Sequence, residues 1–154
     1  MKRAKQYWLV KSEPESYGIE HLLKDGEVDW TGVRNYQARN FMKEMRKGDL
    51  ILFYHSNCEV PGIYGVAKAI AEVKPDETQF DKKGHYYEPR ATKEKPIWEC
   101  VRIKFVKAFK EPIPLGVIRI DPVLGGMYML EKGSRLSVTP VGEREFERIK
   151  ELNV

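Results

Sequence analysis

The sequence predicts an α+β fold: a curved sheet or small barrel of about five to six strands with helices flanking it. Three observations lead there. Runs of strand length and composition recur at 7–11, 50–54, 63–73, 97–109 and 135–139. Helical spacing of apolar residues is confined to early and late segments, and strands do not alternate regularly with helices, which argues against a doubly wound parallel sheet.

The first strand is expected over Tyr7-Trp-Leu-Val-Lys11, aromatic and β-branched, and Pro14 in Ser12-Glu-Pro-Glu-Ser16 stops it. Ser16 is placed to cap a short helix carrying Ile19, Leu22 and Leu23 at helical spacing, ended by Asp25-Gly26. Trp30 follows Glu27-Val28-Asp29 and precedes Thr31-Gly32, so the indole is expected at the mouth of a loop. From Arg34 a helical period sets Ala38, Phe41, Met42 and Met45 on one stripe and the basic Arg39, Lys43 and Arg46 off it. After the turn Lys47-Gly48-Asp49, the continuous apolar run Leu50–Tyr54 reads as a central strand. Pro61-Gly62 then turns the chain into a hairpin partner over 63–73, where Gly65 marks a bulge or a close backbone approach.

Residues 75–96 are polar, with Phe80, Tyr86 and Tyr87 as the few apolar anchors, and are expected to cross the surface. Val101, Ile103 and Phe105 alternate with Glu99, Arg102 and Lys104 in a half-buried strand over 97–109, closed by Pro112 and Pro114. One helical turn is expected at 115–120, a loop at Asp121-Pro122 and Gly125-Gly126, and a short last strand at 135–139. Thr139-Pro140 is the start signal for a closing helix that buries Phe146, Ile149 and Leu152.

With 154 residues and no linker, repeat or low-complexity block, residues 1–154 are expected to form a single domain able to bury roughly two-thirds of its unfolded surface. No apolar run approaches the ~20 residues of a membrane span, so no membrane partner is expected. The basic start, Met1-Lys-Arg, runs directly into the first strand without the apolar core of a secretory signal. Cys58 and Cys100 stand far apart and suit a reducing compartment, taken as the cytoplasm. A formal charge of +4 leans toward a polyanion, weakly, because 23 acidic residues offset most of 27 basic ones.

Catalytic readings find little support. His55, Ser56 and Cys58 offer nucleophile and base, but neighbours on a strand point to opposite faces. His21, His55 and His85 lack metal-ligand spacing, and Gly125-Gly126 lacks the residues of a phosphate loop, so no cofactor is expected. What remains is binding chemistry. An unstacked nucleobase needs an aromatic platform, hydrogen-bond groups for its edge and cations for flanking phosphates. Trp30 supplies the platform, Ser12, Asn35, His55, Ser56 and Ser137 stand at strand or loop ends, and Arg34, Arg39, Lys43, Arg46 and Lys47 supply charge. Taken alone, Trp30 reads as a core indole.

Tyr7-Trp-Leu-Val-Lys-Ser-Glu-Pro14, Asp29-Trp-x-Gly-Val-Arg-Asn-Tyr-Gln-Ala-Arg-Asn40, Gly48-Asp followed by Phe53-Tyr-His-Ser56, Gly62-Ile-x-Gly65 and Leu136-Ser-Val-x-Pro-Val141 together resemble the EVE domain of the PUA-like superfamily, over nearly the whole chain. The resemblance implies a PUA-like curved mixed sheet or small pseudo-barrel with a pocket for a modified base, C5-modified cytosine in DNA first among candidates. A relation to YTH readers of methylated adenine, which share a Lys-Ser strand end and a cage tryptophan, puts Ser12 and Trp30 at matching positions. The pocket then comprises Ser12, Trp30 and Asn35, with Tyr54, His55, Ser56 and Ser137 around them, and Trp98 belongs to the core. A monomeric, non-catalytic reader is implied, whose effector is a separate protein. The alternatives are RNA binding, and a small-molecule binder or enzyme using His55 and Cys58.

Overall fold

A computed structural model describes residues 4–131 and 135–153. Met1–Arg3 of the basic start lie outside the described residues. A seven-stranded open sheet runs through the molecule: β1 (Tyr7–Ser12), β2 (Glu27–Trp30), β3 (Leu50–His55), β4 (Gly62–Ala69), β5 (Lys74–Pro75), β6 (Glu99–Pro114) and β7 (Val138–Val141). The order is β2-β6-β4-β3-β1-β7, with β5 attached to β6. The expected mixed character rests on one pair: β1 and β3 run parallel, and every other pairing is antiparallel. Among the described residues five α-helices flank the sheet: α1 (Pro14–Tyr17), α2 (Ile19–Asp25), α3 (Tyr36–Lys43), α4 (Leu115–Ile120) and α5 (Glu143–Leu152).

Alternation along the strands divides the core in two. Trp8 and Val10 of β1, Ile51 and Phe53 of β3, Ala67 and Ala69 of β4, and Val101 and Ile103 of β6 face one side, with Ile19, Leu22, Ala38 and Met42 from α2 and α3. Leu9, Leu52, Tyr54, Ile63 and Val66 face the other, covered by Ile118, Leu124, Phe146 and Ile149. Placing Asp49 beside this core costs little because its carboxylate accepts from Trp8 Nε1 at 3.0 Å and from the backbone N–H groups of Gln6 and Arg46.

Several expectations change. Glu27–Trp30 is a strand, and Trp30 at its end stands at the mouth of the expected loop: Val28 and Trp30 alternate with Glu27 and Asp29, and Arg102 on β6 binds both carboxylates, at 2.9 and 3.1 Å. One helix expected before it is two, since Ser16 lies inside α1 and Gly18 separates it from α2 as the latter's N-cap; Leu23 faces solvent. Strand β6 runs on through Pro112 to Pro114, because the register jumps from Gly65↔Ala108 to Ile63↔Ile113 and leaves Pro112 in a bulge where no ladder donor is needed. The Thr139-Pro140 helix start is also overturned. Pro140 sits in the edge strand β7, opposite Trp8, and α5 begins after Gly142, whose N–H donates to Glu145 Oε1.

Gly65 does both things its position predicts, sitting at the register shift and against a neighbour: a Cβ there would lie 2.4 Å from the Lys107 carbonyl oxygen and 2.9 Å from Ile19. Gly65→Ala is expected to destabilise the fold by about 2 kcal/mol, as overpacking does, read as a lower urea midpoint at unchanged slope.

Candidate nucleic-acid interface

Because β1 and β3 are parallel, their C-terminal ends meet. Ser12 and His55 are Cα partners, Ser56 N–H donates to the Ser12 carbonyl at 3.0 Å, and Lys11 N–H donates to the Ser137 carbonyl at 2.9 Å. Four expected site residues therefore converge on one end of the sheet. His55 follows Phe53 by two residues and shares its face, and Phe53 meets the Trp30 indole edge to face at 5.4 Å. Trp30 thus borders this end from the sheet's first face, 8% exposed.

His55 is buried and specifically held. Its Nε2 accepts from Ile19 N–H at 3.0 Å, the first residue of α2, and its ring stacks on Tyr64 at 3.9 Å. Burial, and after it the neighbouring His21, lower its pKa. The neutral ring, with Nε2 accepting, carries its hydrogen on Nδ1. With Nε2 already occupied, that nitrogen is no base for Cys58, and the other thiol, Cys100, is pushed up to about 12 by burial and the carboxylates around it.

Two aromatic residues of this end escaped the sequence reading. Tyr17 packs edge-on against Trp30 at 6.1 Å and donates through its hydroxyl to Asp25 at 2.8 Å, and both burial and that bond raise its pKa. Tyr64, on the His55 ring, donates to the Val60 carbonyl at 2.7 Å. The signal for Tyr64 was present, since it fills the variable position of Gly62-Ile-x-Gly65 next to the bulge.

Other expected residues lie elsewhere. Tyr54 points to the second face, where Lys11 Nζ stands 5.5 Å from its ring, because adjacent strand residues cannot share a face. Asn35 caps α3: its side chain accepts from Ala38 N–H at 3.0 Å, so its acceptor oxygen is already used. Arg34, expected as a phosphate contact, is engaged as a clamp. It donates to Asp76, Thr78 and the Tyr86 and Val33 carbonyls, with its guanidinium 5.2 Å from the Tyr86 ring and 5.5 Å from Trp98. Arg39 is similarly engaged, with the Ile97 carbonyl at 2.9 Å and Asn40 Oδ1. Arg46 closes the carbonyls of Lys43 and Met45. Lys43 and Lys47 are exposed, yet Arg46 and Lys47 precede Leu50 at the far end of β3, roughly 16 Å from His55 at ~3.3 Å per residue.

The loop leaving Trp30 is fixed by Asp76. Gly32, at φ +84°, donates its N–H to Asp76 Oδ2 at 2.9 Å, and the Tyr86 ring lies so close that a Cβ on Gly32 would be 2.7 Å from it. Residues 76–98 cross the surface as expected, with most of 81–95 exposed, and form a wall tied down from within at Asp76, Gln79 and Trp98. Gln79 bridges it internally, donating to the Asp76 and Trp98 carbonyls and accepting from Ile97 and Trp98 N–H. Trp98 is core, as expected, with Nε1 on Glu88 and its ring stacked on Tyr36.

Comparison with known proteins agrees with this arrangement. The EVE domain family model matches residues 6–152. Thymocyte nuclear protein 1 of Gallus gallus is 41% identical over 164 residues, spanning 95% of this chain and 68% of that protein. A hypothetical protein from Leishmania major superimposes with a TM-score of 0.93 at 41% identity, covering 97% of this chain and 95% of that one. Human THYN1 protein, solved in complex with 5-methylcytosine containing DNA, superimposes with a TM-score of 0.89 at 38% identity, covering 97% of this chain and 98% of that one.

Two outcomes follow from the geometry. Arg34→Lys keeps the charge but loses the fork that spans Asp76, Thr78 and Tyr86, so it is expected to cost about 3 kcal/mol and to open residues 76–98 to limited proteolysis. A phosphate contact would instead tolerate lysine. His55 has a folded-state pKa below its unfolded value, so the unfolded chain takes up the proton first. Its contribution to stability is complete above about pH 6.5 and is lost as pH falls from there through the folded pKa. Urea midpoints at pH 7.5 and 5.5 are expected to differ less for His55→Gln than for the native chain.

Proposed function

The chain belongs to the EVE domain family, and from that premise we propose that it is a non-catalytic reader of a modified base in DNA, C5-modified cytosine first among them. One observation carries the reading: the human THYN1 protein, alike over nearly the whole chain, was solved with 5-methylcytosine containing DNA. Supporting it, Ser12, His55, Ser56 and Ser137 meet at one sheet end beside Trp30.

In this mechanism the base leaves its stack and lies against the Trp30 indole, and the loss of stacking costs a few kcal/mol. Hydroxyls of Ser12 and Ser56 and backbone groups at the strand ends read its edge. Tyr17 is the wall that yields on entry. It hangs on α1, a four-residue helix with no buried residue, and its hydrogen bond to Asp25 is exposed. Lys43 and Lys47, together with the net positive charge, attract the phosphate backbone. A C5 methyl group adds apolar contact worth about 1 kcal/mol, so the preference over cytosine is about fivefold unless edge contacts also change.

No helix among the described residues is long and apolar enough to cross a membrane. The compartment proposed is wherever the modified nucleic acid lies. The relatives' name, thymocyte nuclear protein, sets the nucleus beside the cytoplasm expected from the cysteines.

Fluorescence titration of 5-methylcytosine, cytosine and matched RNA oligonucleotides tests the reading. The native chain is expected to bind the methylated DNA best. Trp30→Ala, confirmed as folded by circular dichroism, should lose about tenfold or more, the worth of one stacked base, and Ser12→Ala should weaken methylated and unmethylated DNA alike. Equal affinity of the native chain for all three ligands would sink it, and a preference for RNA would move the reader to another nucleic acid.

A further inference from the structure

The sheet's second face carries a feature that base reading does not use. Leu50, Val66, Phe109 and Phe146 floor a cleft of about 250 Å³ between strands β3, β4 and β6 and the end of α5. This is below the roughly 300–1,000 Å³ of a small-molecule pocket, and has room for one large apolar side chain. Val106, the extra residue at the β4–β6 register shift, stands at its rim 47% exposed.

Cations surround this cleft. Lys107 is the register partner of Val66, and Lys150 of α5 lines the opposite wall. Lys68 and Lys104 project from the same sheet face, since each lies between residues that belong to the first core, and they stand directly opposite one another on neighbouring strands. Like charges in that position destabilise a sheet. Among the described residues Lys68, Lys104 and Lys107 have no ion-pair partner. Lys150 has Glu147 at 3.7 Å, and Glu27, the partner of Lys104 on β2, is taken by Arg102. An unrelieved like-charge pair beside an open apolar cleft fits a missing polyanion that also brings an apolar anchor.

We propose that this face binds an acidic segment of a separate protein through one large apolar side chain. The anchor occupies the cleft, and carboxylates flanking it lie along Lys68, Lys104 and Lys107. Nucleic acid alone would satisfy the lysines, but the floor side chains Leu50, Val66, Phe109 and Phe146 carry no hydrogen-bond group for a base edge. The proposal deepens the reader assignment by giving the effector a place to attach. It rests on that assignment only for the effector's role, since Trp30, Ser12 and His55 lie on the first face or at the sheet end.

The test uses a fluorescein-labelled peptide with a central Leu-Phe pair between runs of Asp and Glu, and a control with that pair replaced by Ala-Ala. Fluorescence anisotropy is expected to show the native chain binding the anchored peptide about tenfold or more tightly than the control. Val106→Asp, an exposed position, and the double variant Lys68→Glu, Lys104→Glu should each lose about tenfold, while the double variant binds oligonucleotides no more weakly than the charge-matched Lys82→Glu, Lys83→Glu chain. Equal binding of both peptides, or equal binding by native and variant chains, would overturn the proposal. So would oligonucleotide binding weaker than in the charge-matched chain, which would make Lys68 and Lys104 a nucleic-acid surface. Peptide binding as expected with no preference among oligonucleotides would leave the cleft standing and remove the base-reading assignment instead.

Discussion

The carboxylate of Asp76 is fully buried, and the region around Trp30 is arranged to satisfy it. A buried charge left unpaired costs several kcal/mol, and here Gly32 N–H, Arg34 Nη1 and the N–H and hydroxyl of Thr78 all donate to it. These donors come from two segments far apart in the chain, so neither can move without orphaning the acid. The turn after Trp30, the start of α3 and the wall at 76–98 are therefore set as a unit. Glycine at 32 is required both by the positive φ and by the Tyr86 ring pressed against it.

A second constraint is topological. Strands β1 and β3 are the only parallel neighbours among the described pairings, and they alone bring the polar ends of two separate apolar runs, Ser12 and His55, to the same edge. An antiparallel pairing would have placed them at opposite ends. The histidine then ties this edge to α2 through Ile19 N–H, which fixes where Tyr17 stands against Trp30.

Much of the sheet was legible because apolar runs and alternation report burial directly: β3, β4 and the centre of β6 were each visible in this way. The misses share a cause. Edge strands are held by partners distant in sequence, so the acidic Glu27 and Asp29 read as loop residues until Arg102 is seen beside them. Prolines that usually end strands survive at Pro112 in a bulge and at Pro140 on an edge, conditions set by tertiary pairing. Of the candidate site, the polar strand ends Ser12, His55, Ser56 and Ser137 were legible from residue type and position, and the parallel pairing brings them together, whereas Arg34 and Asn35, equally polar, are committed to Asp76 and to a helix cap. Chemistry alone does not distinguish a free donor from a committed one, and the distinction lies in contacts between segments.

The separation of faces limits how an effector could respond to a bound base. Phe53 and His55 face the proposed base site, while Leu52 and Val66, interleaved with them on the same or the neighbouring strand, face the second core. The two surfaces share a hydrogen-bonded sheet, and coupling of binding free energies through it needs an element with two arrangements that the ligands favour differently. Tethering does not. A reader with about fivefold preference gains from an attached effector by raising its local concentration at sites where the complex dwells, so that weak discrimination is multiplied wherever modified bases lie close together. On this view the modest contribution of a single methyl group is compatible with selective action, because selection resides in the density of modified sites rather than in one pocket.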